Sequence, residues 1–295
     1  MTSTDESPRA GSDPHGAHMS LGPSAPPQFR VQPVPSAAAR IVSTGRRGDA
    51  RDRLRLLSMY GSQHRRAMAD VAQTLPEAPT LRDGLRDSRR VGAFVDLAAV
   101  RLYLDAEWEW LDPAISEAAV GEHLVLARCV ASGLRKLPVY RGPAIVRTSA
   151  IGPVAEWYRE HTYVIEQGFW SASVSSAALS KGGLNFLVWS LTGRRTGLLG
   201  PSAPDRVVFA PGSRFRVLRV SEGRHPLVLM RELFPPEPAE ERHNASTAWL
   251  DESTLSELEG ALAKLPASLT TDTGGPRARL PGLIVTADAM GTVGH

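Results

Sequence analysis

The spacing of apolar residues changes once along the chain, near Leu137. Before that point apolar positions recur every three to four residues, the mark of helices packed on one side. Leu54, Leu57, Tyr60, Met68 and Val71 predict a helix over residues 51–74, ended by Pro76 and Pro79. Leu97, Val100, Leu104 and Trp108 predict a second over 90–108, stopped at Asp112-Pro113. Val120, Leu124, Ala127 and Ala131 predict a third over 115–132, with Gly133 as its C-cap. After Leu137 short apolar runs alternate with turn residues. Strands are expected at Leu137–Tyr140, Tyr163–Trp170, Phe186–Ser190, Val207–Ala210, Phe215–Val220 and Pro226–Arg231, with a short helix or turn over 153–160. A helical block followed by a run of short strands is an α+β pattern with an antiparallel or mixed sheet.

The most structured stretch runs from Ala203 to Leu218. Val207 to Phe209 is apolar, Pro211-Gly212-Ser213 is turn chemistry, and Phe215 and Val217 share a face opposite Arg214 and Arg216. It reads as two short strands joined by a tight turn.

Composition sets the limits of the folded part. Residues 1–48 are rich in Ser, Pro, Ala and Gly, which leaves too little apolar surface to offset ordering entropy, and a disordered tail is expected there. The folded domain is expected over 49–235, with the helical block 51–135 as a lid on a β core over 137–234, because Leu134 to Pro138 leaves no linker. Pro235-Pro236-Glu237-Pro238 closes it. Residues 236–295 are expected to be largely flexible, with a short helix capped by Thr254 and Glu257 and running through Leu265, and one apolar run at Leu283-Ile284-Val285. No internal repeat is visible.

Net charge is +3 over 295 residues, and Lys occurs only at Lys136, Lys181 and Lys264. Arg is spread along the chain, so nucleic acid is not the expected partner. The Arg-rich run from Arg40 to Arg55 reads as a solvated face leading into the first helix. No apolar run of about 18 residues exists, so no membrane span is expected. The N-terminus lacks the apolar core of a usual signal peptide, which leaves the cytoplasm or export by another route. Cys129 is the single cysteine. Inside a helix it reads as a buried, inert thiol, and neither a disulfide framework nor a Cys-based metal site can be built.

Three separated segments carry candidate chemistry: Val139-Tyr140-Arg141-Gly142, Gly168-Phe169-Trp170-Ser171-Ala172-Ser173, and the stretch around Arg206. In this order and spacing they resemble the NAD-dependent mono-ADP-ribosyltransferases of the Arg–Ser–Glu group, whose members are often bacterial toxins. The likeness covers about residues 90–234 and implies a helical block packed on a split antiparallel or mixed β core. It further implies NAD as substrate, with ADP-ribose passed to a protein or other acceptor and nicotinamide released. By the same resemblance Arg141 pairs with the pyrophosphate, the Gly142 backbone takes the nicotinamide amide, and Ser171 and Ser173 brace the pocket. Phe186 lies on the strand that supports it.

The resemblance breaks at its chemical centre. Cleaving the nicotinamide–ribose bond builds positive charge on the sugar, which a carboxylate stabilises. The family places Glu-x-Glu on one strand face. Here those positions are Pro204 and Arg206, with Asp205 between them and facing away. Three readings follow. The chain is an active transferase using Asp205 or another carboxylate such as Glu232 or Glu222. It is a degenerate member that binds NAD, another phosphate ligand or a protein partner without turnover. Or it is a Ser/His hydrolase using Ser171, Ser173 or Ser175 with His161 or His225, although no Gly-x-Ser-x-Gly elbow is present. Glu232 at a strand end reads as a surface charge.

Overall fold

A computed structural model describes residues 29–31, 50–77, 90–105, 111, 115, 121, 123–148, 157–174, 183–200, 202–223, 225–233, 245–266 and 280–285. The helical block consists of α1 (Ala50–Met59), α2 (Gly61–Thr74), α3 (Arg90–Tyr103) and α4 (His123–Leu134). The expected first helix is broken at Tyr60, and its buried stripe is Leu56, His64, Ala67 and Val71, while Leu54 is exposed. Leu97, Val100 and Leu104 are buried as their spacing requires. Trp108 and Val120 lie outside the described residues. Gly133 does not cap a helix. It sits inside α4, where a Cβ would come within 2.3 Å of the Asp96 carbonyl, so glycine is needed for α3 and α4 to touch.

Polar contacts fix the helices to one another. The buried Asp96 carboxylate of α3 accepts from Arg53 through Nε and Nη2 (3.0 and 2.8 Å), from Ser132 Oγ (2.7 Å) and from Lys136 Nζ (2.9 Å). A buried carboxylate needs such a set of partners to offset its desolvation. Cys129 is buried beside these groups, and burial pushes its thiol up to about 12, which makes it inert at neutral pH.

The strands are β1 (Phe29–Val31), β2 (Gly142–Arg147), β3 (Tyr163–Glu166), β4 (Trp170–Ser173), β5 (Asn185–Ser190), β6 (Arg194–Arg195), β7 (Arg206–Phe209), β8 (Ser213–Ser221), β9 (Leu227–Glu232) and β10 (Leu283–Val285). Eight of them form a mixed sheet in the order β3-β8-β9-β5-β2-β4-β7-β6, in which only β5 and β9 are parallel. Strands β2 and β4 share a single register pair, Ile145 with Ser173. The sheet is therefore split there into halves of five and three strands. Between the halves lies an aromatic core: Trp170 meets Phe186 at 5.8 Å and Phe215 at 5.2 Å between ring centroids, both edge-to-face.

Several expected strands differ from those observed. Leu137–Tyr140 makes only an isolated bridge, Val139 to Arg194, and the strand begins at Gly142 instead. Tyr163–Trp170 is interrupted at Gln167-Gly168-Phe169, because Glu166 turns inward and its Oε1 accepts from Gly168 N at 2.7 Å. The stretch 203–218 does form two strands and a turn, with Gly212 at φ 85°. The two strands do not pair with each other: β7 joins β4 and β6, and β8 joins β3 and β9. Its turn passes the chain from one half-sheet to the other.

The end regions are more ordered than composition implies. A helix, α5 (Ala245–Leu262), starts well before Thr254, which is buried within it and does not cap its start. It covers the outer face of the five-strand half, packing Leu258 among Ile145, Leu187, Leu218 and Leu229. Asp251 anchors it to two buried arginines, Arg231 (Nε 2.9 Å, Nη2 2.8 Å) and Arg216 (3.1 Å). Arg216 thus lies on the polar strand face yet is removed from water. Strand β10 pairs antiparallel with β1, so a segment of the expected disordered tail is strand. Leu280 enters the core, Tyr158 Oη donates to the Pro281 carbonyl (2.8 Å), and Gly282 N donates to Glu166 Oε2 (3.0 Å). The apolar run at 283–285 was legible, but its partner at 29–31 was hidden in a Pro-rich setting.

Two measurements test this account. Replacing Asp251 with Ala strands two buried guanidinium groups, and urea unfolding is expected to show a loss of about 3 kcal/mol, with faster amide exchange along α5. His64 is fully buried, with Nε2 3.4 Å from the Val95 carbonyl, and burial pulls its imidazole below the ordinary 6.5. The unfolded chain therefore takes up a proton that the folded chain resists, so His64 favours folding fully above pH 6.5 and less as pH falls below it. His64→Phe is expected to flatten the stability profile below pH 6.5 in urea titrations.

Candidate functional site

Strand register places the second and third candidate segments side by side on adjacent strands, and the first joins them through the single pair between β2 and β4. Ser173 lies directly opposite Arg206, and Ser171 opposite Val208. Directly opposed residues share a face, so Ser171, Ser173, Arg206 and Val208 point one way and Trp170, Ala172 and Phe209 point into the aromatic core. Val208 packs with the helical block, which places that block over this face. Ile145 opposes Ser173 across the split. Arg141 precedes β2 and, because β2 runs antiparallel to β4, lies toward the end where β4 stops and β7 starts.

The free and engaged groups separate cleanly. Arg141 is exposed and Ser171 half-buried, and neither has a side-chain partner among the described residues. Ser173 is half-buried. Gly142 has φ 133°, a backbone form that a side chain rarely adopts, and a Cβ there would stand 3.3 Å from Tyr140 Oη. Opposite it, Ser190 Oγ donates to the Tyr140 carbonyl at 3.1 Å and accepts from Gly193 N at 3.2 Å. That hydroxyl ties the backbone just before Arg141 to the turn between β5 and β6. Its signal in the sequence is slight: a Ser ending an apolar strand two residues before a Thr-Gly turn. The Arg195 guanidinium lies 4.8 Å from the centre of the Tyr140 ring.

Arg206 is engaged. Its Nη1 donates to the carbonyl of Leu104 at 3.2 Å, just past the last turn of α3. Its own carbonyl accepts from Thr196 N (3.0 Å) and Thr196 Oγ1 (3.2 Å). The last carbonyls of a helix carry partial negative charge and lack internal partners, so a guanidinium fits there and a carboxylate does not. Asp205 is exposed, its position alternates with Arg206, and its carbonyl accepts from Val174 N at 2.9 Å.

The other expected carboxylate is structural. Glu232 is buried, which corrects its reading as a surface charge. Its Oε2 accepts from Leu191 N (2.6 Å) and Thr192 N (2.8 Å), and Thr192 Oγ1 donates to Oε1. It pins the turn between β5 and β6. Phe186 lies on β5 and is fully buried between Tyr158 and Trp170, because its strand position faces inward. For the hydrolase reading, His161 stands beside β3 at the far edge of the sheet order, and His225 precedes β9, three strands from β4, while Ser175 lies outside the described residues. Among the described residues no cluster of His, Cys, Asp and Glu could hold a metal ion, and no helix is long and apolar enough to cross a membrane.

The Arg206 contact predicts a direct stability effect. Arg206→Glu removes the bond to Leu104 and sets a negative charge against the end of α3. Thermal and urea unfolding should show a loss of about 1–3 kcal/mol, with Arg206→Lys losing less.

No protein-family model and no curated protein matches the chain. Solved structures do. The type III effector XopAI from Xanthomonas axonopodis pv. citri aligns with a TM-score of 0.54 at 22% identity, over 66% of this chain and 95% of that one. The ADP-ribosyltransferase HopU1 of Pseudomonas syringae pv. Tomato DC3000 aligns with a TM-score of 0.53 at 13% identity, over 64% of this chain and 100% of that one. With the split sheet, the helical block and the register of Ser173 against Arg206, these alignments identify the fold of this chain as that of the ADP-ribosyltransferases.

Proposed function

We propose that this chain is a catalytically silent ADP-ribosyltransferase-fold protein that binds NAD, or a similar phosphate-bearing ligand, without cleaving it. The observation that carries this reading is Arg206 Nη1 bound to the Leu104 carbonyl. The position where the fold's chemistry needs an acid holds a cation with a structural task of its own. Arg141 and Ser171 support the binding half of the proposal, since both present polar groups without a side-chain partner among the described residues. A free guanidinium beside a strand end suits a pyrophosphate.

The size of the effect decides against turnover. A unit charge about 4 Å away at an effective dielectric near 20 is worth about 4 kcal/mol. Losing it slows the step by about a thousandfold, and reversing its sign slows it further. Two arginines near one ligand favour its phosphates over a cationic transition state. The silent module acts, on this reading, on a protein partner. XopAI is described as an effector, and a similar role suits this reading.

Nicotinamide release from labelled NAD, measured beside calorimetric NAD binding, tests the proposal. Binding that falls at least tenfold in Arg141→Ala, with no release above background, is the expected result. Release of nicotinamide that Asp205→Ala abolishes would overturn it in favour of an active transferase.

A further inference from the structure

Helix α5 lies outside the segment that resembles the transferases, yet it reaches the candidate site. Asp251, near its start, holds Arg216 of β8 and Arg231 of β9. Its last turns face Ile145 and Pro143 of β2, Leu187 and Trp189 of β5, and Val174, the residue after Ser173. The helix therefore crosses the strands from β8 toward β4 and ends beside the serine face. Ile145 and Ser173 are register partners, so the sheet surface under the end of α5 continues the face that carries Ser171, Ser173 and Arg206.

The helix does not seal against that surface. A chamber of about 360 Å³, open to solvent along the flank of the helix, remains between them. Its floor is apolar: Ile145, Leu187 and the half-buried Trp189. Its helix side carries two small residues, the exposed Gly260 and the half-buried Ala261. A Cβ on Gly260 would meet nothing within 4 Å. Lys264 lines the chamber, and its ammonium has no partner among the described residues. Glu257 lines it as well, seven residues earlier and so about 10 Å away along the helix axis.

We propose that this chamber binds an aromatic phosphate monoester or nucleotide, with the ring against Trp189 and the phosphate at Lys264. The volume and the flat indole suit one ring system. The charges set the direction of entry: the phosphate goes to the lysine end, which lies toward Val174 and the serines, and Glu257 repels it from the other end. The inference goes beyond NAD binding through Arg141 and does not require it.

The test uses the full chain with 1-naphthyl phosphate and inorganic phosphate as probes, titrated by calorimetry. The ester is expected to bind at least tenfold more tightly than the free anion. Gly260→Leu should remove that advantage. It puts a side chain into the open space and raises helix propensity, so its melting temperature should be unchanged or higher. Lys264→Gln should weaken the ester at least fivefold. Equal affinity for the two probes, no binding of the ester, or an advantage that survives Gly260→Leu overturns the proposal. NAD titrated into the same variants separates the two readings. Loss only in Arg141→Ala leaves NAD binding intact as a proposal whatever the ester does, and ester binding without NAD binding leaves the chamber and removes the dinucleotide reading.

Discussion

Everything in the β core depends on the near-failure of pairing between β2 and β4. One register pair, Ile145 with Ser173, joins eight strands that otherwise pair along their lengths. Twist accumulates along a sheet, and a weak join lets the two halves close over a common interior. Trp170 fills that interior from the three-strand half, against Phe186 and Phe215 from the other. The same split sets the outer faces at an angle to each other, with the helical block on one and α5 on the other. The serines and arginines lie at the seam. Core and candidate site are thus two sides of one constraint: each inward Trp170 or Ala172 requires an outward Ser171 or Ser173.

Elements with a strong internal pattern were legible in the sequence. The period-two residues of β8, the apolar triplet of β7 and the buried positions of α3 follow from local spacing alone. Features that depend on distant partners were not. Gly133 reads as a helix stop until α3 is placed 2.3 Å from its missing Cβ. Arg216 reads as a surface residue until Asp251 arrives from a helix beyond a Pro-rich break. Glu232 reads as exposed until the turn after β5 supplies two amide donors. In each case a polar or small residue is explained by a contact that no short-range pattern encodes.

The candidate site divides in the same way. Spacing was enough to set the second segment beside the third, Ser173 opposite Arg206, because a strand register turns sequence spacing into geometry. The role of Arg206 could not be read, since its partner is a carbonyl a hundred residues earlier. That partner changes the meaning of the substitution. A glutamate lost by drift would leave a gap, and reversing the change would refill it. An arginine that caps a helix has become part of how the sheet and the helices hold together.

Two helices end beside the same seam, and their ends are treated differently. At α3 the terminal carbonyl is taken by Arg206, a cation from the sheet. At α5 the cation, Lys264, comes from the helix itself and has no partner among the described residues. Both arrangements suit the negative end of a helix, but only one consumes the charge. Arg206 is satisfied by the fold, whereas Arg141 and Lys264 have no side-chain partner among the described residues. On the proposed reading, these are the cations that meet the phosphate groups of a ligand.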